Sequence, residues 1–296
     1  MLKKAAVLIC AVCLTALLFS LPAIASGGHG KHHQDMKKGI LLVTFGTSIE
    51  KAAIAFTNIE KKVKAEFPDV PLRWAYTSHI IRTKLAKQGK YLDSVEVALA
   101  KMMDEGFTHI GVQSLHMIPG YEYDDVKTNA KLFQNMSGGF TKVIVGHPML
   151  AGSDDLSRVV DNIMTIIPKE RKQGEAVILM GHGSHHPANA FYEAMQYRLQ
   201  LKDPNLYLGT VEGSLTIDDI KAQILKKGIK KAYLVPFMSV AGEHAINDMA
   251  GAEADSWKSI LTKDGVVCVP VLKGLAEYDG MIDIWVDHLK DVMGHY

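Results

Sequence analysis

Cysteine is nearly missing from this chain: there are three in 296 residues, and Cys10 and Cys13 both lie in an apolar run at the amino terminus. If that run is removed, Cys268 is left alone, no internal disulfide can close, and stability has to come from a buried core. Beyond that run no stretch is apolar enough to span a bilayer. Neither sign of charge dominates, with 33 Lys plus Arg against 32 Asp plus Glu. Such a balance excludes the basic footprint of a nucleic-acid binder.

What is present begins with MLKK, then AAVLICAVCLTALLF, then LPAIAS ending on Ala23-Ile24-Ala25. A short basic start, an apolar run and a small-residue end describe a secretory signal peptide over residues 1–25, cleaved after Ala25, with a periplasmic destination. Loss of Lys3 and Lys4 turns the slight positive excess into a slight negative one. Residues 26–38 contain GGHGKHHQDMKK, a Gly-rich polar leader with His29, His32 and His33. The composition fits a flexible tether, and either metal scavenging or plain solvation accounts for its histidines. The remaining chain of about 270 residues suits one large domain or two modest ones.

From Gly39 onward, strand patterns alternate with helical ones. GILLVTF, PLRWAYT, HIGVQSLHMI and TKVIVG read as strands in a first half, 39–172. AVILMG, LYLGTV, Ala232 to Val240 and VVCVPV read as strands in a second half, 173–296, after a charged loop at Arg171 to Glu175. Helical periodicity fills the gaps, including a long amphipathic helix expected from Thr47 to Phe67. This alternation predicts an α/β protein with two similar Rossmann-like halves, each a parallel sheet flanked by helices, with the active-site cleft between them. In such folds ligands sit at the carboxyl ends of the strands.

The halves also match each other locally. LLVTFGTS at 41–48 aligns with ILMGHGS at 178–184, and PGYEYDDV at 119–126 with AGEHAIND at 241–248, which sets Phe45 opposite His182 and Glu122 opposite His244. In LVPFMSVAGEHAINDMA an apolar strand runs into a helix expected from Glu243, so His244 falls in its first turn, where the dipole disfavours imidazolium. Asp248, four residues on, is placed to hold the other ring nitrogen. A capping or packed histidine is the alternative reading. In MGHGSHH, His182 sits between two glycines directly after a strand, where a side chain is displayed to a ligand; a structural turn histidine is the alternative. His185 reads as a supporting or helix-entry residue, and Glu212 closes the strand LYLGTVEG as a further ligand or an ordinary loop charge.

Taken in order, TFGTS, QSLHMIPGYEY, MGHGSHH and VAGEHAINDMA followed by DSWK resemble the sirohydrochlorin cobaltochelatases of anaerobic cobalamin biosynthesis, relatives of ferrochelatase, from about Lys38 to the end. The resemblance implies Co²⁺ insertion into sirohydrochlorin, a metal-binding pair at His182 and His244, and acidic partners at Glu122 and Glu212. Imidazole and carboxylate suit a borderline divalent ion that has to be given up again, and a histidine or Glu122 is placed to accept pyrrole protons. The substrate's carboxylates call for donors at the rim, with the amides of Gly46, Thr47 and Ser48 and the cations Arg82 and Lys84 as candidates. Fe²⁺ insertion to give sirohaem uses the same ligands. A periplasmic carrier of metal or haem without turnover is the reading from another class. His79, His109 and His147 fall outside the ligand set that the resemblance implies. Imidazole is a common haem ligand, so His109 or His79 is an expected axial ligand, shared between subunits of a homo-oligomer.

Overall fold

The computed structural model describes residues 35–296; the expected signal peptide and the three leader histidines lie outside the described residues. Strands β1 (Lys38–Thr44), β2 (Leu72–Tyr76), β3 (His109–Ser114) and β4 (Lys142–Gly146) form one parallel sheet in the order β2-β1-β3-β4. Strands β5 (Ala176–Gly181), β6 (Leu206–Thr210), β7 (Lys231–Pro236) and β8 (Val267–Pro270) form a second, in the order β6-β5-β7-β8. Matched strand by strand, the two orders are the same, as expected of two similar halves. Runs such as ILLV in β1 and AVILMG in β5 are buried on both faces, which is why they are continuously apolar rather than alternating.

Nine α-helices join and cover the strands: α1 (Ile54–Glu66), α2 (His79–Ala86), α3 (Val95–Asp104), α4 (Tyr121–Asn135), α5 (Ser153–Ile166), α6 (Ala190–Lys202), α7 (Ile217–Lys226), α8 (Trp257–Lys263) and α9 (Asp279–Met293), counted among the described residues. Four are fixed at their starts by hydroxyl caps. Ser78, Ser94, Thr216 and Ser256 accept hydrogen bonds from the amides of Ile81, Val97, Asp219 and Ser259, each worth about 1 kcal/mol.

Three elements depart from the sequence reading. The helix expected from Thr47 begins only at Ile54, because Gly46 adopts φ +101° and the Thr47 hydroxyl accepts the Ile49 amide, holding a loop after β1. The strand reading HIGVQSLHMI ends at Ser114, whose hydroxyl turns to the His116 ring. The helix expected from Glu243 does begin there but spans only residues 243–249, and its last part, Ala245–Met249, has π geometry.

The last helix does not stay with the second sheet. Helix α9 packs on β3 and β4, where Gly111 leaves room: a Cβ there would lie 2.5 Å from Met293 Sδ. Trp285, fully buried, donates from Nε1 to the His116 carbonyl at 3.4 Å. His288 donates through Nδ1 to the His147 carbonyl (3.1 Å) and through Nε2 to Asp155 Oδ1 (3.0 Å), tying α9 to α5. Burial opposes a charge on Asp155, but the His288 bond and charge and the Ala151 amide outweigh it and hold this carboxyl below its ordinary pKa.

Breaking this buried pair with Asp155→Asn is expected to lower the free energy of unfolding by about 3 kcal/mol at pH 7, measured by urea titration. A folded pKa below the unfolded one means the stabilisation is present above the ordinary carboxylate range, roughly pH 4, and is lost as pH falls through the depressed value. The gap between parent and variant should therefore narrow below that pH. A gap independent of pH would contradict the assignment.

Candidate active site

Parallel strands put all their carboxyl ends on one edge, and the order of each sheet reverses between its two central strands, so the loops after β1, β3, β5 and β7 border crevices. A cleft of about 300 Å³ opens there, walled by Phe45–Ser48, by His116–Ile118 with Glu122, by His182–His185, and by the segment from Met238 to His244. Phe45 and His182 each directly follow a strand, and their ring centroids lie 6.5 Å apart.

His182 and His244 face each other with ring centroids 4.8 Å apart and planes at 83°. His182 Nδ1 lies 3.0 Å from the Gly183 carbonyl. A carbonyl only accepts, so Nδ1 carries a proton, and in the neutral ring the lone pair lies on Nε2. His244 Nδ1 lies 2.5 Å from Asp248 Oδ2, which fixes the same tautomer. The helix dipole invoked for His244 has only a short helical segment, residues 243–249, to act through; the carboxylate four residues on holds the ring. A π turn at such a position is a common feature of functional sites.

Gly183 makes this arrangement possible. Its φ is +83°, and a Cβ would lie 1.2 Å from the Glu212 carbonyl oxygen. The backbone after β6 therefore presses directly on the His182 turn, and the Glu212 amide donates to the His182 carbonyl at 2.7 Å. The Glu212 side chain lines the cleft and is exposed, yet among the described residues no three His, Cys, Asp or Glu side chains converge into a ready cation cage.

Glu122, the second residue of α4, reaches the cleft from the first half. Beside it sits His116, which sequence reasoning passed over although it lay inside QSLHMIPGYEY. Burial pushes the His116 pKa down to about 4 despite the raising influence of Glu122, so its ring is neutral at physiological pH. Ser114 Oγ (2.9 Å) and Thr77 Oγ1 (3.2 Å) hold its two nitrogens. Tyr192, also missed, is buried in the same wall, and burial raises its pKa further from neutrality.

The expected substrate-binding residues divide. Gly46, Thr47 and Ser48 line the cleft, and Ser48 Oγ donates to Glu243 at 3.1 Å. Lys84 pairs with the same carboxylate from the other half, which is the main cause of the low Glu243 pKa. Arg82 does not reach the cleft; it lines a neighbouring cavity. His185 is exposed at the rim. The expected haem ligands are elsewhere. His79 is exposed at the start of α2, and His109 opens β3 at the end of the sheet away from the cleft, with Nδ1 3.0 Å from Thr108 Oγ1 and its ring edge-on to Tyr296 at 5.4 Å. His147 packs between Tyr123 and His288.

A family model described as Cobalt chelatase (CbiK) matches residues 38–294, nearly the whole described chain. The chain belongs to this cobalt chelatase family. Among its relatives, the sirohydrochlorin cobaltochelatase CbiKC of Nitratidesulfovibrio vulgaris is 45% identical over 259 residues, covering 88% of this chain and 92% of the relative. The sirohydrochlorin cobaltochelatase of Salmonella typhimurium is 34% identical over 263 residues, covering 87% and 97%. In fold, this chelatase family member is similar to SirB from Bacillus subtilis with Fe³⁺, at a TM-score of 0.57 and 16% identity over 87% of this chain and 96% of that one. The two-sheet architecture is thus that of the chelatases.

Substituting Gly183 by Ala forces a side chain onto backbone at a left-handed φ, so we expect a loss of about 2–4 kcal/mol in unfolding free energy and weaker Co²⁺ binding. Urea titration and calorimetric cobalt titration check both. A variant matching the parent in both would show that the turn does not constrain the site.

Proposed function

We propose that this chain is a sirohydrochlorin cobaltochelatase that receives Co²⁺ on His182 and His244 and passes it to the macrocycle in the cleft. The single observation that carries this reading is the imidazole pair, two rings 4.8 Å apart in one cleft, each pinned through Nδ1 so that Nε2 is left for a ligand. Two imidazole donors with the Glu212 carboxylate in the same cleft suit a borderline divalent ion, and the lack of a closed cage among the described residues suits a substrate metal that has to leave. Cys268, the only cysteine among the described residues, lies in β8 and does not line the cleft, so no thiolate competes for the ion.

Phe45, Met117, Ile118, Met238 and Val240 provide apolar walls for a flat ring system, while the Gly46–Ser48 loop offers backbone amides to peripheral carboxylates. Insertion releases two pyrrole protons. Glu122, half-buried opposite the histidine pair, serves as their acceptor, and neutral His116 behind it stays out of competition for them. The basic start, apolar run and Ala-Ile-Ala end of residues 1–25 support export of the enzyme to the periplasm.

Anaerobic conversion of sirohydrochlorin to its cobalt complex, followed by absorbance, tests this directly. The parent should complete many turnovers. His182→Ala and His244→Ala should each fall at least about 100-fold, and Asp248→Asn, which weakens the acceptor on His244 Nδ1 and admits the other tautomer, by about 10- to 100-fold. Full activity in either histidine variant would remove that residue from the mechanism. Stoichiometric binding without turnover in the parent would favour a carrier instead.

A further inference from the structure

A second cavity, of about 120 Å³, lies beside the cleft, lined by Thr77, Arg82, Glu96, Glu122, Asp125 and Asn129 among others. Among the described residues, Glu122 is the side chain common to the linings of both spaces. The hydrogen-bonded pair Thr77 Oγ1 and His116 Nε2, 3.2 Å apart, spans the wall between them, Thr77 on the cavity side and His116 on the cleft side. Along the cavity the exposure rises from half-buried Glu122 to exposed Asp125, one helical turn further on α4, and exposed Glu96 on α3. Three carboxylates against one guanidinium give the space a negative field that favours a positive charge in transit, and its polar lining and volume admit several waters.

Metal insertion produces two protons in a cleft whose mouth the macrocycle itself occupies, so they need another way out. We infer that the cavity behind Glu122 is the proton-release route of the insertion reaction, with Glu122 taking each proton from a pyrrole nitrogen and Asp125 and Glu96 drawing it through cavity water to bulk. The bookkeeping is simple: each N–H bond breaks with its electron pair left on nitrogen for the metal, the proton rests on the Glu122 carboxylate, and water returns Glu122 to its ionised form. Asp125 and Glu96 act here as positioning residues. The geometry disfavours metal entry by the same path. Glu96 is already engaged by the Asn129 amide at 2.6 Å with the Arg82 charge close by, and no three of the His, Cys, Asp or Glu side chains described here are arranged to hold a cation.

This inference rests on the chelatase reading, and the test separates the two. Steady-state cobalt insertion is measured for the full chain and for Asp125→Asn, Glu96→Gln and Asp125→Glu, with kcat, KM for Co²⁺ and for sirohydrochlorin, and the solvent deuterium isotope effect on kcat. Thermal unfolding confirms that each variant is folded. We expect kcat to fall at least about 10-fold in Asp125→Asn and Glu96→Gln, with both KM values within about twofold of the parent and a larger isotope effect. Asp125→Glu should recover most of the rate. Should Asp125→Asn fail to fold, Glu96→Gln and the isotope effect of the parent carry the test. A parent that turns over while the folded variants match it in kcat and isotope effect overturns the proton route and leaves the chelatase reading intact. A rise in KM for Co²⁺ at unchanged kcat overturns it in favour of metal entry, and a parent without turnover overturns both.

Discussion

Everything in the site depends on a constraint of the sheets: each is all-parallel, and each reverses its order between its two central strands. The carboxyl ends of the strands therefore lie on one edge of each sheet, and crevice loops from two similar halves come to the same cleft. Neither half suffices alone, since the imidazoles follow β5 and β7 while Glu122 and the Phe45–Ser48 loop belong to the first half. Keeping the halves in register is the work of contacts on opposite sides of the cleft. Lys84 and Ser48 reach Glu243 on one side, and His186 meets Asp124 at 3.4 Å and Tyr121 at 4.8 Å on the other. Helix α9 adds a third tie by returning from the second sheet to the first.

The chemistry follows from how the rings are held. A carbonyl and a carboxylate each occupy one Nδ1, so in the neutral form of either ring the lone pair lies on Nε2. Two such donors in an open space grip a borderline ion moderately, which is the property that separates delivery from storage. Glu122, the proposed proton acceptor, comes from the other half, on a helix whose next turn is exposed, and the proposal gives metal and protons different ways in and out.

Much of this was legible in the sequence because it is local. Buried parallel strands announce themselves as apolar runs, and His182 and His244 were readable because each follows one of them across glycine. The internal match that set Phe45 opposite His182 needs only the repeat of a strand order, and the two rings do meet. What could not be read depends on packing between distant segments. The setting of His116 draws on distant segments: Thr77 holds its Nε2, and Trp285, 169 positions away, donates to its carbonyl. Arg82 and Lys84, two residues apart on α2, lie on different faces, and which of them meets which space is set by how α2 packs. The loop in place of a helix at Thr47 follows from one hydroxyl and one positive φ, and the return of α9 follows from the fit of Met293 over Gly111.

The central claim is that one substrate ion is held by the Nε2 atoms of His182 and His244 together. Anomalous diffraction from crystals of the protein soaked anaerobically with Co²⁺ tests this most directly. The account predicts a cobalt peak between the two rings, about 2.0–2.2 Å from each Nε2, with Nδ1 of His244 still on Asp248. A principal peak on other side chains, or on the Nδ1 atom of either ring, would contradict it.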